Sequence, residues 1–327
     1  MEQLNRYLNS LSDDATSINL SSMFLEKLPD LSRFTNLQIL YCANNRIIRL
    51  PQLPSTLQDL DCSHNQIIEL SCFPHRLQML NCSHNYLKKM SNLPDGLLEL
   101  NCRNNELGGL AAALPDSITR FDCSNNQITE FLKLPDSLQE FNCGNNGLIQ
   151  FPPLPHELQF INCQFNVLEC LPRLPSKLQE LNCRFNRLTS LPSLPYSLEI
   201  LNCSYNRLTY LTALKENIKR LYCSYNPLTS LPFLPRTLEH LFWTDIHDMY
   251  YMSTRDSLYM IKYKTKIFNR LKYTFYLSKV RRRLREWLFN NVIEKLAKNK
   301  YHPTNLIKLL GDEDDSVGIE YKINNWV

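Results

Sequence analysis

The sequence predicts a repeat solenoid. Short parallel strands stack on its concave face, an extended, polyproline-like chain forms the outer face, and an α-helical segment caps the C-terminal end. Three observations carry this expectation. Ten cysteines (Cys42, Cys62, Cys82, Cys102, Cys123, Cys143, Cys163, Cys183, Cys203 and Cys223) recur every 20 residues, with one step of 21. An Asn follows each of them three positions later, from Asn45 to Asn226. The chain holds 18 Pro but only 7 Gly, and the Pro fall mostly at fixed places between the Cys–Asn blocks.

Each block reads L-x-x-L-x-C-x-x-N-x-L, followed by variants of x-x-L-P-x-L-P-x-x. Side chains alternate along a strand, so Leu60 and Cys62 are expected to point inward and Asp59, Asp61 and Ser63 outward. Successive strands then lie about 4.8 Å apart. The Asn ends the strand, turns inward and satisfies backbone groups that the bend leaves unpaired. Cys suits the core because a free thiol is small and behaves as a hydrophobe. Pro forbids a regular helix on the outer face and favours an extended chain. The pattern is the leucine-rich repeat signature, with Cys at one of the usual Leu positions. Twenty residues leave no room for a full helix in each unit.

The array is expected to cover residues 16–246, about 12 units of 20–22 residues, after an N-terminal flank at 1–15. Its ends are degenerate. Ile18, Leu20 and Leu25 fit the pattern, but Met23 stands at the Asn position; at the far end Trp243 replaces Cys and Ile246 replaces Asn. Terminal units of a solenoid are adapted to cover an open core. The extra residue of the 21-residue step falls in Ala111–Ala113 and predicts an outer-face bulge.

The composition then changes. Residues 1–246 carry 20 basic and 23 acidic side chains, residues 247–327 carry 16 and 9. Residues 247–311 read as basic amphipathic helices, with Phe268, Leu271, Phe275, Leu284, Trp287 and Leu288 at helical spacing. These helices are expected to cap the solenoid. The alternatives are a basic face for an anionic membrane or nucleic acid, or a dock for a partner protein. An acidic tail, 312–327, follows.

A net charge of +4 excludes a globally basic nucleic-acid coat. No apolar run approaches the roughly 18 residues of a membrane span, and no secretory signal is visible at MEQLNRYLNSLSDD. A cytoplasmic location and reduced cysteines follow as expectations. The ladder thiols have no unique partner, and no Cys-x-x-Cys pair suggests a metal. Cys72 and Cys170 lie off the ladder and are the candidates for reactive thiols.

With the register fixed, two outward columns can be read. One runs from Tyr41 and Asp61 through Asn81, Asn101, Asp122, Asn142, Asn162, Asn182 and Asn202 to Tyr222 and Phe242, an amide and carboxylate surface. The other precedes the Asn ladder: Asn44, His64, His84, Asn104, Asn125, Asn145, Phe165, Phe185, Tyr205 and Tyr225. Phe165, Phe185, Tyr205 and Tyr225, with Arg184 projecting among them from the strand, are the candidate partner-binding residues, because aromatics and Arg are enriched at binding hot spots. The competing reading is that the rings only stabilise each other by stacking. His64 and His84, one coil apart, could share a metal or a proton or simply be solvated. No nucleophile–base pair, phosphate loop or metal-ligand spacing is present, so no catalytic residue, metal or cofactor is expected.

The unit from Leu171 to Leu188 resembles the short LPX-type repeats of bacterial effectors that act inside host cells, and also the leucine-rich repeat proteins of giant DNA viruses. The Cys ladder and the segment Lys300-Tyr301-His302-Pro303 are more similar to the viral group. Some of these effectors carry a ubiquitin-ligase domain that needs a nucleophilic Cys. No Cys follows Cys223, and the 81 residues after the array are too few for that domain, so the resemblance implies recognition without ligase chemistry. The expected function is therefore a non-enzymatic, monomeric module that binds a protein partner through the C-terminal half of its concave face, in a host-cell cytoplasm if the chain is viral. Membrane or nucleic-acid association is the alternative.

Overall fold

A computed structural model describes residues 2–109 and 114–243. Within them the repeat becomes a single twelve-stranded parallel sheet whose strands follow chain order from Ser17–Asn19 to His240–Phe242. Each strand is three residues long, as in Glu180–Asn182. Neighbours pair position for position, Glu180 with Ile200, Leu181 with Leu201, Asn182 with Asn202. The register survives the 21-residue step: Glu99, Leu100 and Asn101 face Arg120, Phe121 and Asp122.

Each strand buries its middle residue. Leu60, Leu181 and Leu201 lose all contact with solvent, and so do the Cys two positions on. The Leu and Ile residues flanking this pair, such as Leu57 and Ile67, close the coil from either side, and one continuous core runs from Leu4 to Leu241. Near its middle Phe121 and Phe141 replace Leu. Their rings stack at 5.6 Å, and Phe131 meets both edge-on from the outer side.

Asn65 illustrates the ladder. Its Nδ2 donates to the carbonyls of Cys62 (3.1 Å), Ser63 (3.1 Å) and Cys42 in the preceding coil (2.9 Å). Its Oδ1 accepts the N–H of Ile47 at 2.9 Å. One side chain thus satisfies backbone groups of two coils that have no strand partner. The same set recurs at Asn85, Asn166, Asn186 and Asn206. A buried donor or acceptor left unpaired costs about 1–3 kcal/mol, so each rung fixes both its own turn and its neighbour's.

The outer face has no helix in any described unit. The chain turns at Pro, whose carbonyl accepts the N–H three residues on, as from Leu57 to Pro54 (3.1 Å) and Leu178 to Pro175 (3.2 Å). A minor two-stranded pair, Glu69–Leu70 with Lys89–Met90, adds to the main sheet. At the N-terminal end the flank forms helix α1, Glu2–Ser10, which the sequence reading did not anticipate. Leu4 and Leu8 sit one turn apart and are buried in the core. The Tyr7 hydroxyl accepts the N–H of Asn19 at 3.3 Å, and Arg33 donates to the Leu8 carbonyl. This helix covers the first coil, as solenoid ends require.

Two expectations are corrected. Ser63 does not point outward; Ser63, Ser83, Ser124 and Ser204 are buried. The strand ends before the Cys, and at the next position a side chain as small as Ser is covered by its neighbours, whereas Arg103 at the same position reaches solvent. Arg184 likewise lies past Glu180–Asn182 rather than on the strand. The expected Ala111–Ala113 bulge, the helices of 247–311 and the tail of 312–327 lie outside the described residues.

Candidate protein-binding face

The column that precedes the Asn ladder has a backbone property that periodicity does not reveal. All ten of its residues take positive φ, from 52° at Phe185 to 57° at Tyr225. Asn tolerates this left-handed region because its short polar side chain can bond locally. Asn44, Asn104, Asn125 and Asn145 therefore suit the position. Phe and Tyr do not: a bulky residue there costs about 1–3 kcal/mol. The aromatic residues accordingly stand on the turn at the rim of the sheet, not within the strands of the concave face.

Four successive coils nevertheless carry a ring. Phe165 stacks on Phe185 with centroids 4.4 Å apart, Phe185 on Tyr205 at 4.0 Å, and Tyr205 on Tyr225 at 4.1 Å. Each stacked pair returns about 0.5–1.5 kcal/mol, which offsets part of the backbone strain. The two inner rings are half-buried by their neighbours, while Phe165 and Tyr225 are exposed. A hydrogen bond from Tyr225 to Tyr205 pushes the Tyr225 hydroxyl above its usual range. The Arg184 guanidinium lies 4.6 Å from the Phe185 centroid and 5.1 Å from that of Tyr205. Its Nε is buried without a hydrogen-bond partner. The structure thus brings all five candidate residues together in one ridge.

The same column holds His64 and His84 nearer the N-terminus. Their rings stack at 4.0 Å, and His84 Nε2 lies 3.0 Å from Asn104 Nδ2. Partial burial, His64 and Arg103 lower the His84 pKa below its usual value. Among the described residues no group of three or more His, Cys, Asp or Glu is placed to hold a metal ion.

The amide and carboxylate column does more than offer a surface. Asp61, Asn142 and Asn182 each accept, through Oδ1, the N–H two residues on: Ser63 at 2.9 Å, Gly144 at 3.2 Å and Arg184 at 3.3 Å. Neighbouring coils are tied by Asn81 Nδ2 to Asp61 Oδ2 and Asn142 Nδ2 to Asp122 Oδ2, both 3.1 Å. This is a second ladder, which locks the bend that leads into the left-handed residue. The signal in the sequence was an Asp or Asn two residues before each bend. Over the N-terminal and central strands the sheet forms a trough of ≈ 710 Å³. Its rim carries Asp59, whose pKa burial raises, and Tyr41, whose hydroxyl donates to it at 3.1 Å.

All twelve cysteines are free; the ten of the ladder are buried, Cys72 and Cys170 exposed. Burial pushes the Cys42, Cys163 and Cys203 thiols up to about 12, far from a reactive thiolate.

Stacked three-residue strands, an inward Asn in ten successive coils and an outer face without a helix in any described unit decide the architecture. The chain has the leucine-rich repeat fold. YopM from Yersinia enterocolitica WA-314 is 34% identical with a TM-score of 0.69, over 72% of this chain and 52% of that one. The chain therefore spans about half the length of that leucine-rich repeat protein. The leucine-rich effector protein YopM from Yersinia pestis is 26% identical with a TM-score of 0.51, covering 71% of this chain and 89% of that one. The leucine-rich repeat domain of APL1B shares the fold at 18% identity and a TM-score of 0.57, over 74% and 86% of the two chains. The likeness to leucine-rich repeat effectors agrees with the bacterial half of the resemblance drawn from the repeat unit. No family model matches the chain, and neither does any curated protein. No helix among the described residues is long and apolar enough to cross a membrane.

Proposed function

We propose that the protein is a non-enzymatic module that binds a protein partner through the ridge of Phe165, Phe185, Tyr205, Tyr225 and Arg184. One observation carries this reading: four bulky rings in succession occupy a left-handed backbone position that six other coils fill with Asn or His. Strain kept against local preference marks a site selected for something other than folding. Aromatic residues and Arg are also the side chains that dominate protein interfaces. The partner in this reading is a host protein met in the host-cell cytoplasm, as the effector and giant-virus resemblances imply, and the module acts as a monomer.

The test compares capture from host-cell lysate by three full-length proteins: the native chain, Phe185→Ala/Tyr205→Ala, and His64→Ala/His84→Ala. A protein retained by the native chain and the His variant but lost by the aromatic variant supports the reading. If the His variant loses it instead, or if circular dichroism shows the aromatic variant unfolded, the ridge is structural and the assignment fails.

A further inference from the structure

The ridge presents ring edges to solvent, because the stack covers both faces of Phe185 and Tyr205. An aromatic ring is electron-rich on its face and electropositive at its edge. Cations seek faces; the exposed edges favour anions and hydrogen-bond acceptors. Arg184 adds a full positive charge beside them, with a buried Nε that has no partner.

The surrounding charge agrees. Arg187 and Arg207, each two residues beyond a stacked ring, are exposed. Residues 164–228 hold eight basic side chains against four acidic; Lys219 is paired with Glu199 at 2.7 Å and Lys177 with Glu157 at 2.5 Å, and no such pair engages Arg184, Arg187 or Arg207 among the ion pairs of the described residues. Residues 38–163 have the opposite balance, eight basic against twelve acidic.

We infer that the ridge recognises an acidic peptide segment, its carboxylates meeting Arg184, Arg187 and Arg207 and its apolar side chains lying along the ring edges. This rests on the protein-binding reading above and names the chemistry of the partner. Arg takes carboxylates through paired, charge-assisted hydrogen bonds. Single-stranded nucleic acid is anionic too, but its bases need open ring faces on which to stack, and the stack closes both faces of Phe185 and Tyr205, leaving only the end rings Phe165 and Tyr225 with a face that carries no ring.

The experiment titrates the full chain against three labelled probes of equal length: a peptide alternating Glu and Leu, one alternating Lys and Leu, and single-stranded oligothymidine. The Glu–Leu peptide should bind best and weaken as salt rises. Arg184→Gln should weaken it about tenfold, and Arg184→Glu should weaken it further and narrow the preference over the Lys–Leu peptide. Arg184 lies outside the core, so circular dichroism should not change. Binding of the Lys–Leu peptide or of oligothymidine as tight as that of the Glu–Leu peptide overturns the inference, and so does indifference to Arg184→Gln. If a captured protein depends on Phe185 and Tyr205 but not on the charge of Arg184, the ridge stands as a binding site and only the acidic class falls. If it depends on neither, both readings fall.

Discussion

The coils of residues 38–163 and those of 164–228 share one frame and differ in what they display. In both, Leu and Cys fill the core and Asn closes the turn with the same four bonds. In both, the residue before that Asn is left-handed. The first region answers the left-handed position with Asn or His, which fit it, and carries an acidic surface. The second answers it with Phe and Tyr, which do not, and carries a basic one. The frame is thus indifferent to the column, and the difference between the regions reports what each column is for.

The largest expected effect tests the shared frame. Asn85→Ala and Asn186→Ala should each lower stability by about 3 kcal/mol in urea unfolding, because each leaves several backbone groups of two coils unpaired. Equal losses in the two regions support one frame. A much smaller loss at Asn186 would mean that the aromatic stack holds those coils instead.

Alkaline pH should come next and act on both regions. The ordinary thiol value is 9.0, and burial raises Cys42, Cys163 and Cys203 to about 12. A folded pKa above the unfolded one favours the protonated, folded form. That stabilisation is complete below about pH 9 and is lost as pH climbs from 9 toward 12. Melting temperature should therefore fall steeply across this window, less so in a Cys163→Ala/Cys203→Ala variant. An identical fall in both proteins would assign it to other groups.

A swap sharpens the contrast more gently. Phe185→Asn restores a residue suited to left-handed backbone but removes two stacking contacts, so stability should change by less than about 1 kcal/mol while partner binding is lost. Asn125→Phe places a lone ring in the first region and should destabilise by about 1 kcal/mol or more. If the lone Phe is tolerated freely, the strain argument for the ridge collapses. The smallest effect belongs to the His pair: His84 should titrate below its usual 6.5 in an NMR pH series, and its neutral form should support the stack until pH drops through that lowered value.

The repeat was legible because Cys and Asn mark two positions at which a coil accepts few residues. Leu60, Cys62 and Asn65 each do one thing in every unit, so spacing alone placed them. The four ridge rings were legible as a column with Arg184 beside them, but their setting was not. Phe and Tyr give no hint of left-handed φ; the Asn at 44, 104, 125 and 145 did, and went unread as a backbone signal. Asp61 and Asn142 read as surface because a bond to the N–H two residues on depends on where the strand ends. Ser63 was misplaced because a side chain so small is covered by its neighbours. Helix α1 was missed because its buried face is short, Leu4 and Leu8 with Tyr7 partly buried beside them.

The register across the 21-residue step has a consequence for how such a chain can change. Glu99 still faces Arg120 although the intervening coil is one residue longer, so an added residue between two strands leaves the pairing of the sheet unchanged. A whole coil could be duplicated or deleted in frame at the level of the gene, and the flanking rungs would close on each other as before. Each such event would lengthen or shorten the ridge by one side chain. Partner choice in this architecture can therefore be rewritten by copying, coil by coil, without redesigning the core.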